Sequence, residues 1–350
     1  MKVLPIFALL LFLFAVNSCS EREKNETEEQ FFAASEEDLT LEDSIQILNE
    51  KLKDSPQDME LLLAMGNLCK EALNFRCALD AGAKAYKLDS TNLEARKLYA
   101  WTLINKPKAP LSDIERAKRH YRYVLSLKPN SPSAMVELAN THSLTGDFKT
   151  AIKLINDALK IDDQYRDAYV LKGSIYKTIE NYDLALSSYQ TAVQLDPDYF
   201  IGHLNIGWLL SDMGKHDLAL EYYENAHELK SENLNAIYGA AKSYQDLEKY
   251  DKALQGYRDL LKVDSTFYIS YFNQAYIKQH HQHQLDSAVH FYNELLSINP
   301  DYVQGWYQLG KTYYEQGRQS DAARAYSKAL KIDENYTPAK EAAQELKENL

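Results

Sequence analysis

Apolar residues recur along most of this chain at spacings of three and four, the period of an amphipathic helix. The pattern is clearest over 303–336. Trp306, Leu309, Gly310 and Tyr313 mark one helical face, and Ala322, Tyr326 and Ala329 mark a second. Gly317 falls between them, where the chain must turn. The stretch predicts two helices folded into a hairpin about thirty-four residues long, a period typical of a helical repeat.

The same ruler fits backwards. Eight units follow, at 59–92, 93–131, 132–165, 166–199, 200–233, 234–267, 268–302 and 303–336. Position 20 is alanine in all of them: Ala78, Ala117, Ala151, Ala185, Ala219, Ala253, Ala288 and Ala322. Position 8 is always Gly or Ala, from Gly66 and Ala100 through to Gly310. Position 24 is tyrosine in six units, with Gly82 and Ile155 in the first and third. Small residues at 8 and 20 let two helices approach closely, and the tyrosine fills the gap beside them. A larger side chain there would overpack the seam at a cost of about 1–3 kcal/mol. Insertions fall around 106–111 and 279–284.

The repeat array has flanks of its own. Residues 41–58 carry an amphipathic helix, with Ile45, Leu48 and Leu52 on one face, that reads as a degenerate half-repeat capping the start. Residues 337–350 begin Thr-Pro, suited to a helix start, and predict a second capping helix.

These residues resemble the tetratricopeptide repeat (TPR) family. The resemblance covers about 59–336 and implies an all-α fold. The expected form is a right-handed superhelical solenoid of about eight hairpins, with the first helix of each lining a concave surface. In that family positions 2, 5, 9 and 12 point into the groove. Those columns supply Trp101, Leu204, Trp208, Tyr238, Lys242, Phe272, Tyr276, Tyr307, Lys311 and Tyr314 as groove candidates. They lie outside the columns that make the repeat, so the core does not call for aromatics there, and aromatic anchors are enriched in binding hot spots. The family's clamp for a chaperone tail does not match: column 5 has lysine only at Lys97, with Trp101 as its column-9 partner. The asparagine ladder of glycosyltransferase relatives is reduced to Asn205 and Asn273.

The first residues read as a targeting signal. Lys2 precedes an apolar run, 3–16, interrupted by Pro5 and short for a membrane span. Val16-Asn17-Ser18-Cys19 resembles a bacterial lipobox, although Asn17 departs from its usual small residue. The resemblance makes 1–18 a signal peptide and Cys19 the lipidated first residue of the mature chain. Ser20 then favours the outer membrane. Residues 19–40 are acidic and read as a flexible tether. The acidic start also resembles surface-export signals of Bacteroidota-type lipoproteins; the plainer solvated spacer is preferred, and with it the periplasmic face.

Composition narrows the partners. The formal charge is −12 and no basic stripe is visible, so nucleic acid is not an expected partner. Of three cysteines, Cys69 and Cys77 flank the first hairpin's turn. They are either bridged, as an oxidising compartment would allow, or two separately packed thiols.

No nucleophile elbow, HExxH, Walker loop, EF-hand loop or paired-cysteine zinc spacing occurs. His280, His281 and His283 cluster in an insertion, but lack a fixed carboxylate or cysteine partner. A solvated turn is the preferred reading, with no metal and no cofactor. The expected function is a non-enzymatic, lipid-anchored scaffold. It binds a peptide or partner protein in its groove for cell-envelope assembly, regulation or secretion. The alternative is a surface carbohydrate-binding lipoprotein using the same aromatics, though the chain has no leftover region for a second glycan-binding part.

Overall fold

The computed structural model describes residues 40–348. Among them are eighteen helices and no strand. The chain divides into two compact units, 40–146 and 147–348. The first holds Leu41–Asp54, the hairpins of repeats 1 and 2, and Pro132–Leu144. The second holds Phe148–Ile161, the hairpins of repeats 4 to 8, and Thr337–Glu348.

The predicted period sets the helices. The first helix of a repeat, helix A, has 13 residues and helix B has 14, as in Arg166–Thr178 and Tyr182–Leu195. The insertions lengthen turns. The second repeat's A–B turn runs 106–110, and its helix B, Leu111–Leu127, reaches 17 residues. A Lys106–Asp113–Arg116 ion-pair cluster closes that turn and holds the Asp113 carboxyl below its usual pKa. Every A–B turn carries one residue in the left-handed region: three glycines (Gly146, Gly214, Gly317) and five others, among them Leu73, Glu180, Glu248 and His283.

The alanine column is the seam. All eight position-20 alanines are fully buried. Position 8 is closed by the position-24 ring. A Cβ on Gly173 would stand 2.5 Å from the Tyr189 ring, and one on Gly207 2.8 Å from the Tyr223 ring. Tyr223 also presses on Gly239 of the following repeat, so the same ring joins neighbouring hairpins. Burying such a side chain is worth about 1.5–3 kcal/mol. Repeat 1 lacks the ring, and Leu98 from repeat 2 fills the gap over Gly66 and Gly82.

Both flanking helices pack as caps. Thr40 and Asp43 form a capping box at the start of Leu41–Asp54, whose Leu48 packs on Met65 and Cys69. At the other end Leu346, with Ala342 and Ala343 beside it, covers Tyr326 of repeat 8.

Candidate binding surface

The ten groove candidates divide into three groups. Trp101 and Leu204 are core residues, which corrects their placement in a groove. Trp101 is 8 % exposed and packs parallel to Phe75 at 5.9 Å, beside Cys69. Leu204 is 2 % exposed inside the core of repeats 4 and 5.

The column-5 aromatics also have packing partners within the repeats. Tyr238 lies between Tyr257 at 6.3 Å and Phe267 at 5.7 Å. Phe272 lies between Tyr292 at 6.0 Å and Tyr302 at 5.6 Å. Tyr307 lies between Tyr326 at 6.1 Å and Tyr336 at 5.8 Å. The same triad, from positions 5, 24 and 34, thus recurs in three consecutive repeats. Its position-34 member precedes the next helix. Phe267 and Tyr302 therefore occupy N-cap positions without a capping side chain, trading one hydrogen bond for ring packing. The column-5 rings Tyr238, Phe272 and Tyr307 stay half-buried.

Column 12 has a structural duty as well. The buried position-24 hydroxyls need partners. Tyr223 pairs with Ser211 at 3.3 Å, Tyr257 donates to Gln245 at 2.8 Å, and Tyr292 donates to Gln279 at 3.1 Å. Burial pushes all three hydroxyls up, Tyr223 to about 12.

The third group stands clear of the core. Trp208 and Tyr314 are each 37 % exposed. Tyr276, Lys242 and Lys311 are half-buried on the same column of their A helices. Polar links tie successive A helices at this level. Lys177 pairs with Asp212 at 2.8 Å, and Gln279 donates to Glu315 at 3.0 Å. Lys242 pairs with Asp246, which is therefore not available to a ligand without exchange. Tyr276 packs on His280 at 4.3 Å, and burial together with the Lys311 charge lowers the His280 pKa from its usual value. The surface is thus a row of aromatic faces with one lysine at its end, suited to a chain bearing apolar groups and a carboxylate.

The three imidazoles do not converge. His280 packs on Tyr276, His281 stacks on Tyr250 at 4.2 Å, and His283 occupies the left-handed turn position. No group of three His, Cys, Asp or Glu among the described residues is arranged to hold a metal ion. Cys69 and Cys77 are joined in a disulfide across the first hairpin, Cα–Cα 5.7 Å. The signal peptide, Cys19 and the acidic tether lie outside the described residues, within which no helix is long and apolar enough to cross a membrane.

Family models described as tetratricopeptide repeat match 303–336, 111–175, 167–199, 202–233 and 235–265, and one described as TPR repeat matches 280–317. No curated protein matches the chain. Among solved structures, the C-terminal part of a TPR repeat-containing protein from Cytophaga hutchinsonii superposes with TM-score 0.57 at 20 % identity, over 66 % of this chain and 94 % of that one. The Cut9–Hcn1 hetero-tetramer of APC/C gives TM-score 0.56 at 15 % identity, over 95 % of this chain and 61 % of that one, so this chain spans under two thirds of its length.

Proposed function

Since the chain belongs to the tetratricopeptide repeat family, we propose that it is a non-enzymatic scaffold that grips a peptide segment of a partner protein along the A helices of repeats 5 to 8. The observation that carries this reading is the exposure of Trp208 and Tyr314 on the same face of their repeats, clear of the triads that build the core. An exposed tryptophan contributes little to folding and much to a contact it can bury. The partner would lay apolar side chains on Trp208, Tyr276 and Tyr314 and bring an acidic group to Lys311. The helices are already stacked, so the partner bears most of the ordering cost.

The compartment belongs to the same proposal. Cys19 is read as the lipid-bearing residue and the acidic segment after it as a spacer. They would set the repeats at the outer membrane of a bacterium, on its periplasmic face, where assembly, regulation or secretion calls for such a scaffold.

Two measurements test this. Envelope proteins crosslinked to the wild-type chain in intact cells should fall away with Trp208→Ala and Tyr314→Ala, while helical content stays within a few per cent. Equal loss of helix and capture would make these residues core instead. Incorporation of labelled palmitate should vanish with Cys19→Ser; labelling that persists would end the anchoring proposal.

A further inference from the structure

One cleft lies away from the row of aromatics, and its floor is anomalous. Helix A of repeat 7, Tyr268–His280, turns Phe272 and Tyr276 to one side and Ser270, Gln274 and Lys278 to the other. On that other side is an open cleft of about 640 Å³, lined by helix B of repeat 6 and by both helices of repeat 7. Gln274 lies at its floor, 1 % exposed, and its amide nitrogen has no hydrogen-bond partner. One turn earlier the Ser270 hydroxyl is buried and equally unpartnered.

Neither polar group is required by the repeat. At position 7, where Gln274 stands, the other repeats carry Met65, Tyr99, Leu138, Lys172, Ile206, Ala240 and Leu309, so Lys172 alone of these shares its polarity. At position 3, where Ser270 stands, Ala95, Ala134, Ala168 and Ala236 serve. A buried donor left unmade opposes folding, and an apolar replacement of like size removes that penalty. Ser270 is not among the residues that line the cleft; Gln274 is, and its unmade amide suits a floor completed by a bound molecule.

The rim tells what that molecule is. Arg258 and Lys278 line the cleft, and their hydrogen bonds go to neutral amides: Arg258 to Gln255 at 2.6 Å, Lys278 to Gln282 at 2.8 Å and to Gln284 at 2.9 Å. Asp286, the one carboxylate of the lining, accepts from Gln316 at 2.8 Å. Leu261 and Phe291 supply an apolar wall. The cleft thus combines two cations, a buried amide donor and an aromatic face. We propose that it binds a small organic carboxylate with an apolar body. The carboxylate would sit on the Gln274 amide between Arg258 and Lys278, and the body would lie against Leu261 and Phe291.

The test is calorimetric titration of the full chain with phenylacetate, beside neutral 2-phenylethanol and inorganic phosphate. Phenylacetate should bind saturably at one site, on the order of tenfold or more tighter than either control, the scale of one charge-assisted contact. Gln274→Leu should abolish binding while raising the thermal midpoint, because it restores the apolar type of the column. Arg258→Gln, at an exposed position, should weaken binding about tenfold with the midpoint unchanged. Three outcomes would overturn the proposal. One is the absence of a saturable phase. Another is a Gln274→Leu variant that binds as tightly as the wild type or melts lower. The third is a neutral alcohol or phosphate that binds as well as phenylacetate.

Discussion

A single methyl added at Gly310 would press on the Tyr326 ring, whose Cε1 and Cδ1 lie 2.5 and 2.6 Å from where a Cβ would stand. Ala241 and Ala275 hold the same column beside Tyr257 and Tyr292, so the ring has another seat. Moving Tyr326 there means moving Tyr307 and Leu346, which pack on it. Gly310→Ala should therefore destabilise the chain by about 1–3 kcal/mol, read as a lower urea midpoint. The buried hydroxyls give a second residue-scale outcome. Burial raises the Tyr223 pKa from 10.0 to about 12. The folded chain holds that proton more tightly than the unfolded one. The stabilisation is then complete below pH 10 and is lost as pH climbs through 12. Urea midpoints of the wild type should fall over that window, and Tyr223→Phe should flatten the fall.

Helices and turns show what could be read beforehand and what could not. The hairpins were legible because the alanine column recurs in register, and all its members are buried. The turn position was legible at Gly317, but Leu73, Glu180 and Glu248 adopt the same left-handed conformation without a glycine to announce it. L-residues adopt it at a cost of roughly 1–2 kcal/mol, partly offset by the about 0.5–1 kcal/mol that glycine's extra freedom would forfeit. Glu180→Gly and Glu248→Gly should each stabilise by about 0.5–1 kcal/mol, seen as a raised thermal midpoint. Which A-helix aromatics stay exposed was half legible. Helical periodicity places positions 5 and 9 on one face, but it is silent about a partner some thirty residues on. Tyr307 meets Tyr336 only because the next helix starts beside it. Trp101 misled for a similar reason: Phe75, from the preceding repeat, covers it. Gln274 was visible as a polar residue in a mostly apolar column that also holds Lys172, but only packing showed its amide to be unmade.

At the scale of the whole molecule, stability in a repeat array is a sum of each hairpin's own stability and its nearest-neighbour seams. A local staple should therefore act locally. The Cys69–Cys77 bridge closes a sequence separation of 8 in repeat 1. That repeat has Gly82 where six others have tyrosine, and it borrows Leu98 from repeat 2 to fill the seam. In the chain-entropy account so short a loop is worth about 2.5 kcal/mol. Cys77→Ser should thus lower amide protection in Met59–Glu71 and Phe75–Leu88, the two helices it unstaples. Protection in Gln319–Ile332, capped by its own terminal helix, should not change. Hydrogen exchange of the oxidised wild type against the variant reads both at once. Loss of protection throughout the chain would mean that the repeats open as one block, and no loss in repeat 1 would mean that Leu98 alone holds its seam.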